Sequence, residues 1–392
     1  MNEATDTVPV SDGVVRWDDD GQTHEATWRS AAGYPAPTRV KLADDRISAD
    51  AAYRLMDAGT SLLWCGDFQN ARHLLQALQR RVDARQAAPA GASADQATSE
   101  PGAAFLNHRQ AQGRRAALLN RLLLPFDADH GVPLRRAPDA RRAVAEAHGK
   151  VDQHYVGTLR ELLGLIGAHE WRKKGVAITA LDARIHPHHG VFSPVRGEYV
   201  DLVAQAPLPL GARRGGAFDI GTGTGVLAAV LARRGVEPIT ATDIDPRALA
   251  CAKDNLARLK LGAAVRLLQA DLFPPGRAAL VVCNPPWVPA APATALDASV
   301  YDPDSRMLRG FLSGLAAHLA PKGEGWLILS DLAEHLGLRS AEQLEGWIAA
   351  ARLKVVGRID TLPRHGKVQD PNDPLHRARA AEVTSLWRLV RD

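Results

Sequence analysis

The sequence predicts an α/β fold: an open, mostly parallel sheet in the C-terminal half, preceded by a mostly helical N-terminal domain. Three observations carry this. From residue 217 onward, short apolar runs alternate with helix-length amphipathic stretches, the pattern of parallel strands joined by crossover helices. A glycine-rich turn, "GTGTG" at 221–225, leads from the first of these runs into a helix, and aspartates close the next two runs. Between residues 41 and 170, apolar residues recur mainly at helical spacing.

In chain order, residues 1–40 read as weakly structured or as a single hairpin, "VVRWDDDGQTHEATWRS", with Asp20-Gly21 in the turn. "RISADAAYRLMDAG" reads as a helix with Ser48 as N-cap, and "GDFQNARHLLQALQRRVDAR" as a second amphipathic helix. "QAAPAGASADQATSEPG", residues 86–102, has little to bury and reads as a flexible linker. "NHRQAQGRRAALLNRLLL", "APDARRAVAEAHG" and "VDQHYVGTLRELLGLIGAH" all read as helices, completing a helical domain over 41–170. A β connector is expected over 171–210 and the α/β domain over 211–392. Its strands are "AFDI", "PITATD", "AVRLLQ", "ALVVCN", "GWLILS", "KVVGRI" and "VTSLWRLV".

Composition narrows the function class. The chain has 392 residues, a net charge of +4 and 46% hydrophobic residues, ordinary values for a globular protein. No run of about 18 apolar residues occurs, so no membrane span is expected. The N-terminus lacks a basic and apolar leader pattern, and three scattered cysteines form no disulfide framework, so a reducing, cytoplasmic setting is expected. Residues 101–150 are rich in arginine and poor in acid, which suits contact with phosphate or an acidic protein face; the plainer reading is a solvated helix face.

"FDIGTGTGVLAAVLARRG" is strand, then Gly221, Gly223 and Gly225, then helix. Glycines let the backbone turn sharply and let a ligand approach it, and the helix offers unpaired N–H groups to an anionic ligand group. The dinucleotide fingerprint wants glycine or alanine at 226, where this chain has Val226, which weakens a nicotinamide reading. Asp243 closes the second strand about 20 residues beyond the glycines, where a carboxylate takes ribose hydroxyls. Asp271 closes the third, with the backbone at Leu272 beside it. Asp245 reads as the N-cap of the helix from Pro246.

These motifs, in this order, resemble the class I S-adenosylmethionine-dependent methyltransferases over about 217–392. The resemblance implies a seven-stranded Rossmann-like sheet with its last strand antiparallel. It also implies S-adenosylmethionine as cofactor, with Asp219, Gly221, Gly223 and Gly225 around the methionine part, Asp243 on the ribose, and Asp271 and Leu272 at the adenine.

"LVVCNPPWVP", residues 280–289, breaks strand chemistry: Pro285 and Pro286 cannot donate to a ladder. Its place at the carboxyl end of the fourth strand is where open α/β sheets bind ligands. An amide or arylamine nitrogen is a poor nucleophile because its lone pair is delocalised. Rigid acceptors on its N–H groups raise its electron density and fix its direction. Asn284 supplies a side-chain carbonyl, Pro285 a stiff backbone carbonyl, and Trp287 a flat face for stacking. The product loses a proton spontaneously, so no strong general base is required. The run resembles the Asn-Pro-Pro-aromatic signature of amino methyltransferases, with Trp where Tyr or Phe is usual; Asn284 then also borders the cofactor.

Other segments bear on the acceptor. "GVFSPVRGEYVDLV" is similar to the Gly-Val-Phe-Ser run of ribosomal RNA guanine-N2 methyltransferases. Through Pro194 and Glu198 it partly matches a run in release-factor glutamine methyltransferases. That resemblance implies Phe192, Ser193 and Arg196 near the cofactor or acceptor; the alternative is packing between domains. "VYDPDSRMLRGFL" resembles the stretch after the motif in the glutamine enzymes, as does a helical domain joined by a β connector. His186 and His188 share one side of a strand but have no Cys or carboxylate at ligand spacing, so no metal is expected. His365 and Lys367, in a long polar loop, can meet substrate or be ordinary surface. The resulting expectation is an N-methyltransferase with a macromolecular acceptor. A glutamine amide of a translation protein is narrowly preferred over adenine N6 or guanine N2 of ribosomal or other RNA, and a non-catalytic cofactor-binding assembly factor is the alternative of another class.

Overall fold

The structure, a computed structural model, describes residues 13–87, 101–292, 297, 300–364, 368, 370, 371 and 373–392. The chain divides into two compact units: Met1–Ser99 with Leu106–Glu170, and Glu100–Phe105 with Trp171–Asp392. Among the described residues no helix is long and apolar enough to cross a membrane.

The N-terminal unit opens with β1 (Gly13–Asp19) and β2 (Gln22–Trp28), paired antiparallel. Asp20 and Gly21 between them both take positive φ, 45° and 78°, as a tight two-residue hairpin turn requires. β3 (Val40–Ala43), β4 (Ser61–Trp64), β5 (Leu122–Phe126) and β6 (Tyr155–Thr158) complete a six-stranded sheet of order β1-β2-β6-β5-β4-β3. Helices Ala49–Asp57, Phe68–Ala87, Pro101–Leu119, Arg141–His148 and Leu159–Lys174 accompany it. Ser48 caps the first, its side chain accepting from the Ala51 N–H.

The expectation of a helical domain over 41–170 is therefore corrected: the helices are present, but they accompany a mixed sheet. Tyr155–Thr158 falls inside a stretch read as helix from sequence, and Leu122–Phe126 begins in the last three residues of another. β4 and β6 are four residues long and buried throughout, and β5 is five long and buried at all but Pro125. A run that short and that apolar shows neither a period of 2 nor one of 3.6. The expected linker over 86–102 lies almost wholly outside the described residues.

In the C-terminal unit a small hairpin, β7 (Val176–Ile178) with β8 (Ala183–Ile185), precedes the helix Glu198–Gln205. The main sheet contains β9 (Ala217–Ile220), β10 (Ile239–Asp243), β11 (Val265–Gln269), β12 (Ala278–Cys283), β13 (Leu319–Ser330), β14 (Leu353–Thr361) and β15 (Thr384–Arg391). Their order is β11-β10-β9-β12-β13-β15-β14. Every pairing is parallel except those of β15, which runs antiparallel to both β13 and β14. The chain order thus reverses between β9 and β12, and the crevice above that reversal is where such sheets place ligands.

Both faces of the sheet are covered, which is why the central strands read as unbroken apolar runs. Along β12, Leu280 and Val282 enter the core under the helix Val226–Arg233, while Val281 and Cys283 enter the opposite core with Phe311 and Leu315 of the helix Arg306–His318. Each of these four strand residues is fully buried.

Candidate functional site

The carboxyl ends of β9, β10 and β12 bring most of the expected residues into one neighbourhood. Cys283 pairs with Ile220, so Asn284 stands level with Gly221 at the edge of the sheet. Asp219, the third residue of β9, is 1% exposed. Its Oδ2 accepts from the Thr222 hydroxyl at 2.7 Å and from the Ala228 N–H at 3.0 Å, in the first turn of the following helix. Its Oδ1 is buried without a partner. Burial, only partly offset by those two hydrogen bonds, pushes the carboxyl up to about 6.

Gly221, Gly223 and Gly225 all take left-handed φ, 70°, 55° and 80°. Two of them also have close neighbours. A Cβ on Gly221 would lie 2.5 Å from the Met307 methyl, and one on Gly225 would press on Ala252 at 3.1 Å. Gly223 faces open space, so a ligand can reach its backbone.

Asp243 ends β10. Its Oδ2 accepts from the Gly223 N–H at 2.9 Å and its Oδ1 from the Asp245 N–H at 3.0 Å, while burial raises its pKa. The Thr222 N–H donates to the Thr242 carbonyl at 2.8 Å, so the glycine turn is fastened to the end of β10. Asp245 is the N-cap of the helix Pro246–Arg258 and also clasps Arg247. Asp271 lies at the exposed rim and pairs with Arg306. Leu272 has φ +75°, rare for a branched side chain, and its carbonyl accepts the Thr242 hydroxyl at 2.5 Å.

The Asn-Pro-Pro-Trp run differs from expectation at one point. Pro285 is buried and Asn284 half-buried at the strand exit. The Trp287 indole N–H donates to Asn284 Oδ1 at 2.8 Å. The Arg196 guanidinium lies over the indole, 4.8 Å from its centroid, and the ring packs against both cores. Trp287 is thus no bare stacking platform. A half-buried indole N–H needs an acceptor, and the nearest is the carbonyl that the motif presents. Phe or Tyr would leave that oxygen untouched; Trp orients it and leaves its second lone pair available.

Arg196 is itself fixed by Glu198 at 3.1 Å and by Glu382 at 3.0 Å, both buried. Glu382 also accepts the Ser330 hydroxyl at 2.6 Å, at the end of β13. Ser193 accepts the Trp171 indole N–H at 3.1 Å, and Phe192 packs against the core beside the glycine turn. Asp302 is buried after the motif, accepting the Met307 and Leu308 N–H groups while its own N–H donates to the Val288 carbonyl.

The connector histidines serve structure. His186 bonds the Arg172 carbonyl through Nδ1, and His188 pairs with Asp254 at 2.9 Å. Among the described residues no group of three metal-ligating side chains occurs. His365 and Lys367 lie outside the described residues. Sequence reasoning did not find Thr222, Glu382, Asp302 or Met307, whose importance is visible only through the contacts they make in the fold.

A sheet of this order, with a glycine turn and acidic strand ends converging on its point of reversal, defines the class I methyltransferase architecture. The methyltransferase small domain family matches residues 182–340, and the chain belongs to that family. It is 30% identical over 180 residues to a tRNA1(Val) (adenine(37)-N6)-methyltransferase from Shewanella loihica, covering 43% of this chain and 69% of the relative. It is 31% identical over 160 residues to a release factor glutamine methyltransferase from Cereibacter sphaeroides, covering 37% of this chain and 54% of the relative. A solved methyltransferase from Pyrococcus furiosus aligns over 58% of this chain and 99% of its own at 20% identity, with a TM-score of 0.39. The chain spans about half the length of the release factor relatives it matches.

Proposed function

We propose that the chain transfers a methyl group from S-adenosylmethionine to a planar sp² nitrogen, with the exocyclic amine of an RNA nucleobase as the favoured acceptor. The observation that carries the chemistry is the placement of Asn284 level with Gly221, its Oδ1 aimed by Trp287, beside a buried carboxylate that keeps one oxygen unpaired. S-adenosylmethionine, when bound, supplies the methyl group on a positively charged sulfur.

The residues fit that cofactor. Asp219 Oδ1 is a buried acceptor in want of a donor, matching an ammonium group, and the open backbone at Gly223 admits the ligand. Asp243 takes ribose hydroxyls while its existing bonds hold the glycine turn. Asp271 and the Leu272 backbone flank the adenine. Asn284 Oδ1 and the Pro285 carbonyl accept the two N–H groups of the acceptor, fixing its lone pair toward the methyl carbon. Phe192, Ser193 and Arg196 border this acceptor side, Arg196 acting through the indole. The proton leaves to water after transfer.

The sequence leaned to a glutamine amide. One observation moves the preference to a nucleobase: relatives matched over 64–69% of their own length are named for adenine N6. A protein glutamine is the second reading, supported by four relatives named as release factor glutamine methyltransferases. The test uses radiolabelled cofactor, lysate from a strain lacking the protein, and purified chain. Label removed by nuclease supports RNA, and label removed by protease overturns that choice in favour of protein. Asn284→Ala should lose at least 100-fold in transfer while still binding cofactor, in line with the loss of one oriented hydrogen-bonding group at a reacting centre. Unchanged transfer would refute the chemistry, and no transfer by the intact chain would favour a non-catalytic assembly factor.

A further inference from the structure

The N-terminal unit has a cavity of about 390 Å³, within the size range of small-ligand sites, that no part of the proposed chemistry uses. Arg85, Arg114, Arg115 and Arg121 converge on it over an apolar floor that includes Val82 and Leu118. They come from three elements: the helix Phe68–Ala87, the helix Pro101–Leu119, and the turn leading into β5.

We infer that this cavity docks the phosphodiester backbone of RNA. Three of the guanidinium groups are held in place. Arg85 lies 4.4 Å over the Tyr53 ring and donates to the Tyr53 hydroxyl at 3.0 Å. Arg115 grips Asp83 through two bonds of 2.7 and 3.2 Å. Arg121 donates to the Met56 carbonyl at the end of the helix Ala49–Asp57. Among the described residues Arg114 is exposed and meets no acceptor. A guanidinium has five donors, so each held arginine keeps several free while losing little entropy on binding.

The charge is in surplus. Asp57 on the wall and Asp83 behind Arg115 offset two of the four positive charges and leave two. Planar forks at fixed positions suit phosphate oxygens. The one aromatic ring of the wall is already covered by Arg85, so no base can stack there. The geometry therefore grips backbone and reads no sequence, the expected division of labour when an acceptor base is selected elsewhere.

This inference rests on the nucleobase reading of the acceptor, and the experiment separates the two. Fluorescence anisotropy would follow a labelled single-stranded RNA binding to the full chain between about 50 and 200 mM salt. The two surplus charges predict a log–log salt slope near −1.4, taking about −0.7 per phosphate contact for single strands. Arg114→Gln, an exposed change, should flatten the slope by about 0.7, and Arg114→Glu should weaken binding by at least tenfold at 100 mM, about 1.4 kcal/mol. Slopes and affinities unchanged in both variants would overturn the proposal, as would absent RNA binding or equal competition by polyglutamate. RNA binding that depends on Arg114 without label on RNA would leave the docking site standing and sink the nucleobase acceptor. Label on RNA with no effect of Arg114 would do the reverse.

Discussion

Replacing Asp219 with Asn should make the ligand-free protein more stable at neutral pH while weakening its hold on cofactor. The carboxyl is 1% exposed, and burial lifts its pKa from 3.8 to about 6. A raised carboxyl pKa means that between those values the unfolded chain ionises while the folded one keeps its proton. Stability is therefore lost as pH rises through that window, and the loss is complete above about pH 6. A shift of about two units corresponds to roughly 3 kcal/mol. Asparagine removes that ionisation cost. Its oxygen can take over the bonds from Thr222 and Ala228, and its NH₂ group then occupies the place of the unpaired Oδ1, giving back about 1–2 kcal/mol. The net expectation is a gain of about 1–2 kcal/mol at pH 7.5 that turns into a loss of about 1 kcal/mol near pH 4. Urea unfolding at both pH values measures it, with cofactor affinity by calorimetry on the same samples. A variant less stable than the wild type at pH 7.5, or a gain equal at both pH values, would refute the electrostatic argument. Undiminished cofactor affinity would refute the role of the orphan oxygen.

Trp287→Phe keeps a ring under Arg196 but deletes the bond to Asn284 Oδ1, worth about 1 kcal/mol. Transfer rate should fall about fivefold with cofactor affinity unchanged, measured as kcat against Kd; an undiminished kcat would show that the indole does not aim the amide. Gly221→Ala forces a side chain into left-handed backbone beside the Met307 methyl, at a cost of about 1–2 kcal/mol. Because that methyl is the free end of a flexible chain, adding Met307→Ala should restore little of the urea midpoint, and full restoration would locate the cost in crowding.

The C-terminal sheet was legible because its signals are local and redundant. Gly221, Asp243 and Asn284 each follow an apolar run at a strand end, and the order of those runs along the chain carries the topology. The N-terminal sheet was hidden for the opposite reason: Ser61–Trp64 and Tyr155–Thr158 bury every residue, so nothing alternates. At the site, residue types were readable but partners were not. Trp287 offers a flat face to any reader of the sequence; that its N–H is given to Asn284 and one face to Arg196 depends on contacts spanning 3 and 91 positions along the chain. Glu382 reaches Arg196 across 186 positions, a distance at which no spacing rule operates.

The short connector before the sheet has an unusual reach. At one end, Asn255 takes the His186 N–H and gives its own amide hydrogens to the His186 and Thr224 carbonyls, so the connector is buttoned to the glycine turn. At the other end, Arg196 rests on Trp287. One stretch of about ten residues is therefore a tie-rod between the glycine turn and the Asn-Pro-Pro-Trp run. Any strain imposed on Thr224 therefore has a route to the indole through the Asn255 hydrogen bonds, the connector backbone and the Arg196 contact, and the length and stiffness of that segment set how far it travels.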